Sequence, residues 1–134
     1  MRVVIFGGRR FGNKRLFANT MVAFEREIGK ITFVIEGNAD GADAMGKRWA
    51  QINRRGVLTY APIWEDLHTM PVKIKTNKHG ARYNSLATLV RNQRMVDEGK
   101  LDYAIMFPGE SGTADMARRL KAAGVKIFEA RYEV

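Results

Sequence analysis

The sequence predicts an α/β protein of Rossmann-like type: a doubly wound, mostly parallel five-stranded sheet with helices on both faces. Three observations predict it. Short apolar runs without strict alternation recur along the chain, as in strands buried on both faces. Between them lie segments whose apolar residues repeat at helical spacing. Glycines at 29, 56, 99 and 124 follow the helical segments, where a left-handed residue commonly closes a helix.

The expected strands are Val3 to Phe6, Ile31 to Ile35, Val57 to Ala61, Tyr103 to Phe107 and Val125 to Phe128. Of the four main helices expected, the first carries Phe17, Met21, Phe24 and Ile28 on one side and the second Ala42, Met45, Trp49 and Ile52. Both stripes read as core packing against the sheet. Alternation of β and α with short connections implies right-handed crossovers. The exception is Ile63 to Asn84, a long segment with Lys73, Lys75, Lys78 and Arg82, expected to act as a mobile basic flap over an anionic ligand. With 134 residues, the chain is expected to be one domain, 1–134, with no internal repeat.

Composition narrows the chemistry. The absence of cysteine excludes disulfides, thiolate metal sites and a cysteine nucleophile. The apolar run at the N-terminus is too short for a signal peptide or membrane span, so a cytoplasmic protein with no membrane partner is expected. A formal net charge of +9 favours an anionic partner without saying which.

In an open α/β sheet, ligands bind beyond the carboxyl ends of the strands, where strand order reverses. Three glycine-rich turns follow strands here: Gly7, Gly8, Arg9 and Arg10 after the first, Gly37, Asn38, Asp40, Gly41 and Asp43 after the second, and Pro108, Gly109, Glu110, Ser111, Gly112 and Thr113 after the fourth. Such turns let backbone approach a ligand, and free N–H groups at a helix start attract phosphate. Ser111 or Thr113 also suits an N-cap, and Asp40 and Asp43 suit dipole-complementing caps or a ribose contact. Arg9 and Arg10 offer charge-assisted contacts, and Arg91, beside Asn92 on the third helix, reads either as a ligand contact or as an exposed charge. No metal site and no cofactor is expected.

Taken in order, Gly7-Gly8-Arg9, Gly37-Asn38-Ala39-Asp40-Gly41-Ala42-Asp43 leading to Trp49-Ala50, Arg91-Asn92-Gln93-Arg94-Met95, and Phe107 through Met116 resemble the YspA-related branch of the SLOG superfamily. That Rossmannoid group includes the LOG phosphoribohydrolases and the DNA-processing protein DprA, and short members of this branch are common in phages and prophages. The resemblance implies a nucleotide-like ligand and homo-oligomers. It also marks two departures. LOG enzymes have a glutamate three residues after the Gly-Thr pair, where this chain has Met116, which can neither stabilise an oxocarbenium ion nor handle a proton. The branch usually has an Ala-Gly pair before Arg-Asn, where this chain has Ala87-Thr88-Leu89-Val90.

The leading expectation is therefore a module that senses, carries or sequesters a nucleotide-derived phosphorylated ligand. The first alternative is an N-glycosidic or phosphate-ester hydrolase in which Glu36, Asp43, Glu65, Glu110 or Asp115 replaces the missing glutamate, with Arg91, Glu110 and Asp115 as catalytic candidates. The second is a DprA-like nucleic-acid binder that uses the positive charge.

Overall fold

A computed structural model describes residues 1–132. Five parallel strands form the central sheet: β1 (Arg2–Phe6), β2 (Phe33–Glu36), β3 (Gly56–Thr59), β6 (Tyr103–Met106) and β7 (Ile127–Glu129). They lie in the order β3-β2-β1-β6-β7. Growth runs outward from β1 in one direction, returns across the sheet and resumes on the other side, so strand order reverses between β1 and β6. Val3 pairs with Tyr103 and Phe6 with Met106 across that junction.

Side-chain alternation along β1 divides the core in two. Val3 and Ile5 pack with Phe17, Met21 and Phe24 of α1 (Lys14–Glu27) and with Ala42 and Ala50 of α2 (Ala42–Ile52). Val4 and Phe6 face the other way, against Met95 of α3 (Ala87–Glu98) and Met116, Ala117 and Leu120 of α4 (Ser111–Ala122). Successive strand residues point to opposite faces, so a run apolar at every position needs helices on both sides. The five-stranded parallel sheet, four helices and two helical layers are those read from the sequence. Each expected helical stripe frays at its end: Ile28 and Ile52 are exposed. α1 begins where the Asn13 side chain accepts from Leu16 N–H at 2.9 Å, an N-cap.

Two expectations are corrected. Of the four helix-closing glycines, Gly124 has the expected positive φ of 75°, but near the ends of α2 and α3 the left-handed residues are Arg54 (φ 57°) and Lys100 (φ 52°). Gly56 is instead the first residue of β3, where an added Cβ would run into the Phe33 ring. The second correction concerns the long connection. It holds an antiparallel hairpin, β4 (Ile74–Thr76) and β5 (Arg82–Asn84), pinned at its base. The buried Asn84 side chain accepts from Lys73 N–H and Leu86 N–H, both at 3.0 Å, and donates to the Pro71 carbonyl at 3.1 Å. Among the described residues no helix is long and apolar enough to cross a membrane.

Candidate functional site

The carboxyl ends of β1 and β6 lie side by side, and their loops touch: Gly8 N–H donates to the Pro108 carbonyl at 2.8 Å. Neither side tolerates bulk. A Cβ on Gly8 would stand 2.9 Å from the Pro108 oxygen, and one on Gly7 would stand 2.8 Å from the Ala42 Cβ. Aromatic stacking holds the junction from below, with the Phe107 ring centroid 5.0 Å from both Phe11 and Phe17. The third loop joins through Gly41, whose φ of 73° lets the chain pass against Gly8, and Ala42 N–H donates to the Gly8 carbonyl at 3.3 Å. All three glycine-rich loops therefore meet at one edge.

Two of these loops open helices, and they differ. At α4 the N-cap position is Glu110, which makes no side-chain cap, while Ser111 and Thr113 belong to the helix itself. Neither serves as the expected N-cap. Glu110, Ser111 and Gly112 are exposed, and a Cβ on Gly112 would meet nothing within 4 Å. The residues that open this helix are exposed, at the positive end of its dipole, where unbonded N–H groups attract an anion.

At α2 the charges are turned inward. Asp43 was expected to cap the helix or touch a ribose, but its carboxylate accepts from Gly37 N–H at 3.0 Å and Ala39 N–H at 3.4 Å, in the loop before the helix. Burial raises Asp43 to about 6, opposed by the nearby Arg91 charge and by those N–H donors. Glu36, 1% exposed, accepts from Asn38 N–H at 2.8 Å and from the Thr59 hydroxyl. Arg91 is not an exposed charge: it is buried, with Nη1 donating to the Gly37 carbonyl and Nε to Asn92 Oδ1 at 3.0 Å. Burial pushes its guanidinium below the usual range while Asp43 and Glu36 pull the other way. Asn38 takes a positive φ of 61° to close the turn, and Asp40 is exposed.

Asn92 and Asp115 link helices. Asn92 Nδ2 donates to Asp115 Oδ2 at 3.1 Å, and Asp115 also accepts from Arg119 Nε at 2.8 Å. These partners hold the Asp115 carboxyl below its ordinary value despite burial. A cleft of about 410 Å³ lies over this link, lined by Gln93, Asp97, Arg118 and Arg119. It sits on the outer surface of α3 and α4, away from the glycine loops, and its lining charges cancel. The loop edge itself is an open shelf, flanked by the exposed Arg9 and Arg10. Among the described residues no group of three or more His, Asp or Glu is gathered as a metal site.

Thr59 and the inward role of Glu36 escape a sequence reading. Glu36 ends an apolar run and reads there as the start of a loop, although one signal was available: a carboxylate directly after Val34 and Ile35 on a buried strand requires partners.

Comparison with known proteins agrees with this architecture. Among curated proteins none matches the chain. Among solved structures, DNA processing protein A (DprA) from Streptococcus pneumoniae aligns with a TM-score of 0.62 and 16% identity over 96% of this chain, a similarity of fold. The chain spans about half of that protein, 49% of its length. The model of the YspA, cpYpsA-related SLOG family matches residues 1–67, which include β1, the Gly7-Gly8-Arg9 turn, β2, and the loop and helix of the Asp43 cluster. The chain therefore belongs to the YspA, cpYpsA-related SLOG family.

Proposed function

We propose that this protein binds a nucleotide or nucleotide-derived phosphorylated ligand on the shelf between β1 and β6, as a sensing, carrying or sequestering module. One observation carries the reading: the Gly8–Pro108 contact sets two glycine loops against the uncapped, exposed start of α4 at the point where strand order reverses. Arg9 and Arg10 supply positive charge at the rim, and Ser111 and Thr113 supply hydroxyls. Gly7 and Gly109 keep the floor low, and Gly112 leaves the rim open. Arg91, Asn92 and Asp43 act from beneath by fixing the loops.

Binding is favoured over hydrolysis because the position matching the LOG glutamate is turned away from the shelf. Met116 is 1% exposed and packs in the core with Val4, Phe6, Ile35 and Met95. Met116→Glu would bury an unpaired carboxylate, so it should lower stability by several kcal/mol and create no hydrolase. Closure of the open shelf by a second copy of the chain belongs to the same reading, and a solution mass of 15.2 kDa at micromolar concentration would contradict that part.

The test is mass spectrometry of small molecules that co-purify with the protein, followed by thermal shift and calorimetry with the compound found. Arg9→Ala should weaken binding by about tenfold to a hundredfold, the loss of one charge-assisted contact of about 1.5–3 kcal/mol, with the melting temperature of the free protein unchanged. Release of a free base from a nucleoside monophosphate over many turnovers would replace this reading with the hydrolase one.

A further inference from the structure

The hairpin of β4 and β5 is the feature that the shelf does not use. From Lys73 to Asn84 it carries Lys73, Lys75, Lys78 and Arg82 and no acidic residue. All four cations are exposed, and none forms an ion pair among the described residues. Uncompensated charge of one sign costs self-repulsion and gains nothing in folding unless a counter-charge arrives.

Aromatic rings stand beside it. Tyr83 pairs with Lys75 across the two strands, which puts both side chains on one face of the hairpin. The Trp64 ring meets Tyr83 edge-on, with centroids 6.3 Å apart, and stays 42% exposed. Asn84 N–H donates to the Trp64 carbonyl at 2.8 Å, so the tryptophan backbone is fixed to β5. A tryptophan and a tyrosine, held partly exposed beside an acid-free row of lysines, match an anionic backbone that carries flat, stackable bases.

Other occupants fit less well. Insertion into a lipid surface would use an apolar hairpin tip, but the tip here is Asn77, Lys78, His79 and Gly80, closed by the Asn77 side chain accepting from His79 N–H at 2.8 Å and Ala81 N–H at 3.1 Å. A second copy of the chain through this face would bring like charges together. An acidic peptide would satisfy the lysines but leave the exposed ring of Trp64 without a role.

We propose that this hairpin, with Trp64, is a binding surface for single-stranded nucleic acid, separate from the nucleotide shelf and independent of whether the shelf binds. The strand's phosphates lie along Lys73, Lys75 and Lys78, and an unpaired base stacks on Trp64 beside Tyr83. Arg82, paired with Thr76 on the opposite face, adds long-range attraction.

The experiment is fluorescence anisotropy of the full chain with labelled oligothymidylate, oligouridylate and a duplex, each longer than a typical single-strand site of about 4–16 nucleotides, between about 50 and 200 mM salt. Both single strands should bind more tightly than the duplex, and the thymidylate and uridylate arms say whether DNA or RNA is preferred. The triple variant Lys73→Gln/Lys75→Gln/Lys78→Gln should flatten the slope of log affinity against log salt by about 2. Trp64→Ala should weaken binding by about fivefold to a hundredfold. Trp64→Phe keeps a stacking ring, so it should retain most of the affinity while abolishing the quench of Trp64 emission expected when the natural protein binds, Trp49 emission being left in both; it also guards against misfolding of the alanine variant. The proposal is overturned if no oligonucleotide binds, if the duplex binds better, or if the triple variant matches the natural protein in affinity and salt slope. It is equally overturned if only vesicles of equimolar phosphatidylserine and phosphatidylcholine are bound.

Discussion

The starts of α2 and α4 share a sequence style and an edge of the sheet, yet one is sealed and the other open. Before α2, the loop N–H groups of Gly37 and Ala39 are taken by Asp43, the Gly37 carbonyl by Arg91, and the Ala42 N–H by the Gly8 carbonyl. Neither helix has a side-chain N-cap, but before α4 no side chain among the described residues accepts from the loop N–H groups, and Glu110, Ser111 and Gly112 are exposed. Glycine-rich turns ahead of helices are thus not equivalent. A buried carboxylate and guanidinium turn the first into a scaffold, whereas polar residues that point outward leave the second its anion-attracting amides.

Substitutions can break this contrast from the scaffold side first. Arg91→Ala should cost on the order of 3–5 kcal/mol, because it removes a charged hydrogen bond, strands the Gly37 carbonyl and leaves Asp43 and Glu36 without their nearby cation. Urea unfolding measures it. A change of less than about 1 kcal/mol would mean that the cluster does not hold the loop.

The next effect appears in pH dependence. Asp43 rises from 3.8 in an ordinary carboxyl to about 6 in the folded protein, so the folded state binds the proton more tightly. Its contribution is present in full below about pH 4 and is lost as pH rises through about 6, amounting to about 3 kcal/mol. Asp43→Asn should flatten the stability profile across that window in a pH series of denaturant titrations. An unchanged slope would place the titration elsewhere.

Smaller effects test the open side. On Gly109 a Cβ would meet the Thr113 side chain and stand 2.6 Å from Gly8 N, so Gly109→Ala should cost about 1–3 kcal/mol. On Gly112, the second residue of α4, a Cβ meets nothing within 4 Å. Gly112→Ala should leave stability unchanged or raise it by about 0.4–1 kcal/mol, read as a small upward shift in melting temperature. Equal losses at both glycines would erase the distinction between a packed floor and an open rim.

Legibility in the sequence followed how much a residue's surroundings repeat. Val3 to Phe6 and the spacing of Phe17, Met21 and Phe24 announced a two-faced sheet and an amphipathic helix, because burial imposes its period on many residues at once. The hairpin was missed for the opposite reason. Ile74–Thr76 and Arg82–Asn84 are three-residue strands with mostly exposed side chains, so no apolar period betrays them. Helix ends were half legible. Gly124 took the left-handed position expected of it, but Arg54 and Lys100 bear it near the ends of α2 and α3; at α2, Gly56 serves instead as strand backbone under the Phe33 ring.

The sequence by itself determined that this chain forms a parallel sheet between two helical layers and gathers three glycine-rich loops at one edge. Period, glycine position and crossover handedness are local or near-local properties that leave few arrangements. Only the tertiary structure decided what the polar residues at that edge do. From sequence Asp43 reads as a helix cap or a ribose contact and Arg91 as a ligand contact or an exposed charge, but β2, α2 and α3 bring both together with Asn92 below the surface, where desolvation makes each charge or amide seek a protein partner. Ser111 and Gly112 stay in water, because nothing among the described residues crosses above them. Whether a polar side chain faces a ligand or the protein interior depends on what the fold places over it, and adjacency in sequence carries no record of that.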